Sequence, residues 1–132
     1  MSQRSQACVL IVDDERDLCL TLQMVLRLEG YDVVTSRDGV DALACLRGGL
    51  HPCLILLDMM MPRMNGPQFR EEQVRDPALR EIPVIVLTGG GDPVLRQVAA
   101  LGLMAIRKPV DLAALLSEVE RLCGSREKAR PP

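Results

Sequence analysis

The chain has 132 residues, 48% of them hydrophobic, which is enough for one domain with a real core and leaves no room for a second folded module. A net charge of −2 and a pI near 5.4 offer no broad electrostatic attraction for nucleic acid or an acidic membrane, so no direct contact with either is expected. No run approaches the ~18 apolar residues of a membrane span, and the polar stretch Met1 to Ala7 lacks the apolar segment of a signal peptide, which together predict a cytoplasmic protein.

In chain order, Cys8-Val9-Leu10-Ile11-Val12 is a continuous apolar run that ends in Asp13-Asp14-Glu15, the pattern of a strand buried on both faces that delivers acids at its carboxyl end. Leu18, Leu22, Val25, Leu26 and Glu29 then fall at helical spacing, and Gly30 provides a C-terminal stop. Tyr31 to Thr35 reads as a short strand. Asp38 caps a helix carrying Val40, Leu43, Ala44 and Leu46, which Gly48-Gly49 ends.

Leu54-Ile55-Leu56-Leu57 is a second doubly buried run, and it ends in Asp58. Met59-Met60-Met61-Pro62 follows, with the methionines expected to pack beneath a loop. Asn65 or Gly66 then caps a helix with Pro67 near its start and a stop near Asp76-Pro77. Ile82 to Leu87 is apolar throughout and ends at Thr88, after which Gly89-Gly90-Gly91 makes a mobile loop. A helix from about Pro93 to Leu101 and a weaker strand from Leu103 to Arg107 lead to Lys108-Pro109. The last helix starts near Asp111, places Leu112, Leu115, Leu116, Val119 and Leu122 on one face, and ends by Gly124. The helix leucines read as core and not as a partner-binding stripe. Cys8, Cys19, Cys45, Cys53 and Cys123 are odd in number, scattered, and without a C-x-x-C pair, so reduced core thiols are expected.

Strands alternating with helices argue for βαβ units and a parallel sheet covered on both faces, with ligands gathering at the carboxyl ends of the strands. Asp13, Asp14, Asp58, Thr88 and Lys108 all fall at that end. The acids form a dense anionic cluster suited to a divalent cation, and oxygen-only ligands favour Mg²⁺, which keeps several waters and pairs with phosphate oxygens. Lys108 adds a point charge for phosphate and Thr88 a hydroxyl. A carboxylate can attack phosphorus to form an aspartyl phosphate; Asp58, alone on its strand, is the candidate nucleophile. Taken singly, a strand-end Asp, a Lys-Pro turn or an Asp pair capping a helix is ordinarily structural.

Taken together, Val12-Asp13-Asp14-Glu15, Leu57-Asp58-Met59-Met60-Met61-Pro62, Met64-Asn65-Gly66, Thr88-Gly89 and Lys108-Pro109 resemble the receiver domain of bacterial two-component response regulators, over roughly Cys8 to Leu122. The resemblance implies an α/β, three-layer doubly wound (βα)₅ flavodoxin-like fold with a parallel five-stranded sheet of order 2-1-3-4-5, an order for which the chemotaxis receiver is itself a standard example. It implies that Asp58 is the phosphoacceptor for a sensor histidine kinase or histidine phosphotransfer protein. Asp14, Asp58 and the backbone carbonyl of Met60 would bind Mg²⁺, with Asp13 acting through metal-bound water. Thr88 would swing toward the phosphate, Lys108 would pair with it, and the Lys108-Pro109 bond is expected to be cis.

Two positions depart from the family pattern. The aromatic residue usual three positions before the lysine is replaced by Ala105, and Gly102 lies a residue nearer the lysine than the pattern has it. The glycine run after Thr88 is also longer than the single small residue usual at Gly89. The expected function is thus a phosphorylation-controlled switch, self-catalysed and not otherwise an enzyme, signalling to an unknown protein partner or output domain, with a homodimer possible. A phosphorylation-independent interaction module on the same fold is the alternative. A phosphotransfer enzyme of the haloacid dehalogenase type ranks lower, since it needs a second acid two residues after the nucleophile, where Met60 stands. Residues 1–6 are expected to be a disordered N-terminus, 7–124 the receiver, and 125–132 a flexible tail or the start of a linker.

Overall fold

The computed structural model describes residues 7–124, so the expectations for the first six residues and for 125–132 lie outside the described residues. Strands β1 (Cys8–Val12), β2 (Asp32–Ser36), β3 (Leu54–Asp58), β4 (Val84–Thr88) and β5 (Met104–Arg107) alternate with helices α1 (Arg16–Leu28), α2 (Gly39–Arg47), α3 (Gly66–Arg75), α4 (Asp92–Ala100) and α5 (Leu112–Val119). All strand pairs are parallel, in the order β2-β1-β3-β4-β5.

Because successive side chains of a strand point to opposite faces, each apolar run feeds two cores. Val9, Ile11, Leu54, Leu56, Ile85 and Leu87 pack against Leu22 and Leu26 of α1 and Leu115 and Val119 of α5. Their neighbours Leu10, Val12, Ile55, Leu57 and Val84 face Ala42, Leu43 and Leu46 of α2 and Phe69 of α3. A third, smaller cluster joins Val86 and Met59 to Val98 of α4. Leu56 and Leu57 are fully buried, and truncating either to alanine costs roughly 2–5 kcal/mol through the cavity left behind.

The local stops fall where the residue types place them. Gly30 takes φ +96° just past α1, as a C-terminal glycine must if the chain is to turn back. Asp38 accepts a bond from the Asp41 N–H and caps α2. Asn65, and not Gly66, caps α3, in a reciprocal capping box with Gln68.

Four expectations are corrected. Cys53 and Cys123 are joined in a disulfide, so only Cys8, Cys19 and Cys45 are free thiols; the pairing spans 70 positions and leaves no local spacing signal. Helix α5 does not run on to Gly124 but widens at Glu120–Gly124 into a π turn. Among the loop methionines Met59 is buried, whereas Met60 is 77% exposed. Leu20, Met24 and Leu28, four residues apart on α1, lie on its solvent side, because the other face of the helix already fills the core.

Candidate functional site

Strand register builds the site. Val12 lies beside Leu57, so the next residues along, Asp13 and Asp58, leave the sheet side by side. Asp58 in turn pairs with Leu87, and Thr88 with Arg107, which sets Thr88 and Lys108 along the same edge. Lys108 donates its backbone N–H to the Thr88 carbonyl at 2.8 Å, and the Lys108-Pro109 bond is cis.

Carboxylate oxygens of Asp13, Asp14 and Asp58 lie within 4.8 Å of one another, the first and last buried and Asp14 exposed. Asp13 Oδ1 accepts the Glu15 N–H at 2.8 Å, and Asp58 Oδ1 accepts the Met60 N–H at 3.2 Å. The Lys108 ammonium is 3.0 Å from Asp13 Oδ2, 3.0 Å from Glu15 Oε1 and 3.8 Å from Asp58 Oδ1. It therefore bridges the acids, and its grip is tighter on Asp13 and Glu15 than on Asp58. Burial draws its pKa down, but its bonds to Asp13 and Glu15 outweigh that, so Lys108 titrates above its ordinary range.

Asp58 carries the opposite strain. Burial, and next the adjacent Asp13 charge, raise its carboxyl to about 6, against the restraining effects of the Met60 N–H and Lys108. Asp13 Oδ2 is buried and takes no hydrogen bond of good geometry; only the lysine ammonium stands opposite it. A compact set of carboxylates, one of whose buried oxygens is faced by the Lys108 ammonium and takes no hydrogen bond of good geometry, and which no histidine or cysteine joins among the described residues, fits a hard divalent cation such as Mg²⁺.

Around this centre the backbone is close-packed. A side chain at Gly66 would put its Cβ 2.8 Å from the Asp58 carbonyl and the Met59 Cα, so only glycine lets α3 begin against the β3 end. Thr88 is buried, and its Oγ1 accepts the Gly90 N–H at 3.0 Å. At Gly90 a Cβ would meet Val94 at 2.6 Å, whereas at Gly89 the nearest atom would be Lys108 Cβ at 4.0 Å, leaving the start of the loop open. Ala105 packs on β5 against the Met59, Val86 and Val98 cluster. The chain's two rings, Tyr31 and Phe69, belong to the two cores and not to this edge.

Sequence reasoning missed two participants. Glu15 was visible only as part of an acidic run, yet it shares Lys108. Arg63, in the loop after β3, adopts φ +62° and closes a fork on Asp38, Nε to Oδ2 at 2.7 Å and Nη2 to Oδ1 at 3.2 Å, with a further bond to Asp41 at 3.0 Å. Asp38, buried and read as a cap alone, thereby ties the loop after β3 to the start of α2. The Gly39 N–H reinforces this by donating to the Met64 carbonyl at 3.1 Å.

The response regulator receiver domain family model matches residues 9–120. The chain is a member of that family. The receiver is 35% identical over 126 residues to the transcriptional regulatory protein CpxR homolog of Haemophilus influenzae, covering 93% of this chain and 52% of that protein. It is 37% identical over 89 residues to protein PilG of Pseudomonas aeruginosa, covering 67% of this chain and 65% of that one. The chain thus spans about half the length of the first of these relatives. In structure it superposes, with TM-score 0.81 and 33% identity, on the signal receiver domain of a signal transduction histidine kinase from Syntrophus aciditrophicus, covering 90% of this chain and 91% of that one. The receiver is accordingly a signalling domain of two-component systems and not a conventional enzyme, and its acidic cluster is of the kind at which receivers bind Mg²⁺. No helix among the described residues is long and apolar enough to cross a membrane.

Proposed function

We propose that this receiver accepts a phosphoryl group on Asp58 from a sensor histidine kinase or histidine phosphotransfer protein, and that the phosphorylated form changes conformation to signal to a partner or output domain. The observation that carries this reading is the placement of the Asp58 carboxylate, buried at the β3 end between the Asp13 acid and the Lys108 ammonium. Asp58 attacks phosphorus with one carboxylate oxygen, forming the acyl phosphate P–O bond as the P–N bond to the donor histidine breaks. Asp14, Asp58 and the Met60 carbonyl, with Asp13 beside them, would hold Mg²⁺, which when bound would supply positive charge against the transferring group. Lys108 is already poised among the acids and turns to the new phosphoryl oxygens as their charge develops.

The Thr88 hydroxyl, whose oxygen accepts the Gly90 N–H, donates its own O–H to the phosphoryl group once that group adds roughly −1.5 to −2 charge. Its movement draws in the loop after β4. With Ala105 in place of a ring, the change spreads by displacement of that loop and α4 and not by an aromatic rotamer. A cytoplasmic setting and the absence of direct nucleic-acid contact are proposed for residues 7–124 alone.

The test is incubation with a small-molecule phosphodonor and Mg²⁺, followed by intact mass. Wild type gains one phosphoryl group and Asp58→Ala none. A wild type that stays unlabelled while a control receiver labels would establish the phosphorylation-independent interaction module instead.

A further inference from the structure

At the opposite end of the sheet from the acids, Cys53 and Cys123 are bonded, their Cα atoms 5.5 Å apart. Cys53 immediately precedes β3, and Cys123 is the penultimate residue of the π turn that continues α5. Both are buried, at 4% and 0% exposure, in the core formed by α1, α5 and the sheet. Covalent closure therefore joins the start of the central strand to the last described turn.

A second observation marks the same place. α5 abandons α winding at Glu120, and the wider turn lasts through Gly124, so the change of winding coincides with the residue that reaches Cys53. π turns are rare and concentrate at functional positions. This one is tightly closed: a Cβ on Gly124 would lie 2.6 Å from the Glu120 carboxyl carbon, and Glu120 Oε1 also accepts the Tyr31 hydroxyl at 3.3 Å. The turn is a built arrangement with Cys123 inside it.

We infer that Cys53 and Cys123 form a reversible redox site, a second input to this receiver, which takes a low-molecular-weight disulfide as its oxidant and answers with the winding of Glu120–Gly124. In a reducing compartment a protein disulfide is commonly transient and senses oxidation. In the reduced chain, local opening of the last turn exposes the pair, and one cysteine thiolate attacks a sulfur of the incoming disulfide, forming a mixed disulfide and releasing one small thiol. The second protein thiolate attacks the protein sulfur of that mixed disulfide and releases the other small thiol. Two electrons pass from the cysteine pair to the small disulfide, and the two thiol protons end on the released thiols. Reduction reverses each step and frees Cys123, so the last turn relaxes toward α winding and its amides open more readily. Asp58 takes no part, and the inference does not depend on its phosphorylation.

The experiment equilibrates the whole chain in mixtures of reduced and oxidised glutathione, quenches with an alkylating agent, and reads oxidation by intact mass and peptide mapping. Hydrogen exchange at residues 120–124 is measured in both states. The expected result is a Cys53–Cys123 cross-linked peptide that appears and disappears with the glutathione ratio, and exchange at least about tenfold faster in the reduced protein. Cys123→Ala should match the reduced wild type in both conditions, and Cys8→Ser should behave as wild type. Should Cys123→Ala fail to fold, reduced wild type supplies the same comparison. Failure to form the 53–123 cross-link at any ratio would overturn the site, and identical exchange in the two states would overturn the response. Asp58→Ala retaining the redox response would keep this result separate from the fate of the phosphorylation reading.

Discussion

The β1–β3 half of the functional edge and the β4–β5 half are built on opposite plans. In the first, Asp13 and Asp58 each hold a backbone N–H, Gly66 admits α3 at contact distance, Arg63 braces the loop against buried Asp38, and the acids receive Lys108 from the end of β5. In the second, Thr88 is followed by a glycine run, β5 contributes only the small Ala105 to the cluster of Met59, Val86 and Val98, and the space at Gly89 is open. Chemistry on a carboxylate gains from charges fixed before reaction, whereas a response needs a segment that can be displaced at low cost. The contrast fits the proposed function, with capture of the phosphoryl group in the first half and movement in the second.

The comparison breaks most readily at the metal. Asp14→Asn should weaken Mg²⁺ binding at least about tenfold by calorimetry while the fold is retained, since Asp14 is exposed and supports no core contact. Mg²⁺ binding unchanged in this variant would remove the acidic cluster from the metal site. Protons compete for the same cluster: with Asp58 titrating at about 6, affinity should be about tenfold lower at pH 5 than at pH 7.

The same raised pKa makes a stability prediction with a defined sign. A carboxyl that binds its proton more tightly folded than unfolded costs stability once pH exceeds the folded value, and costs nothing below the unfolded value of about 4. In metal-free protein, Asp58→Asn should therefore be more stable than wild type by about 1–2 kcal/mol at pH 7, allowing for solvent screening, and show no advantage at pH 4. Denaturant midpoints at the two pH values check this. Equal stability at pH 7 would mean that the acids are not crowded.

Smaller effects sharpen the boundary between the halves. Arg63→Gly keeps the left-handed backbone but deletes the fork on Asp38, and Mg²⁺ affinity should fall about threefold as the loop carrying Met60 loosens. A matching loss in Asp38→Asn, not additive with the first, would attribute it to the pair. Least of all should Ala105→Tyr matter for input: adduct yield from a phosphodonor should stay within about twofold. A large change in that yield would show that position 105, and not only Lys108 at the end of β5, acts on the capture half.

How far these halves were legible from sequence differed in kind. Continuous apolar runs with acids at their ends, the Asp38 cap that opens α2, and the stops at Gly30 and Asp76-Pro77 are local signals, and they located every strand and helix to within a residue or two except the end of α5, which stops at Val119. Asp13, Asp14, Asp58, Thr88 and Lys108 sit at strand ends, so once the strands are parallel they must share an edge. Strand order came from resemblance to a family, not from spacing. What escaped was long-range and pairwise. Nothing near Arg63 announces Asp38 25 positions away, and nothing in the spacing of Cys53 announces Cys123. The π turn also escaped, because the apolar face of α5 continues through it without a break in period.

One feature of the sheet reaches further than the site it positions. Val12 beside Leu57 and Leu57 beside Val86 mean that the spacing of the acids is measured out by the hydrogen-bond ladder and not by contacts among the acids themselves. The ladder is a ruler graduated in whole residues. Exchanging one apolar side chain for another within β1 or β3 leaves its marks unmoved, but adding or deleting a single residue there turns every side chain to the opposite core and carries Asp13 or Asp58 off the edge together. Length variation in this chain should accordingly be tolerated at the far ends of the helices and refused between Val9 and Asp13 or between Leu54 and Asp58.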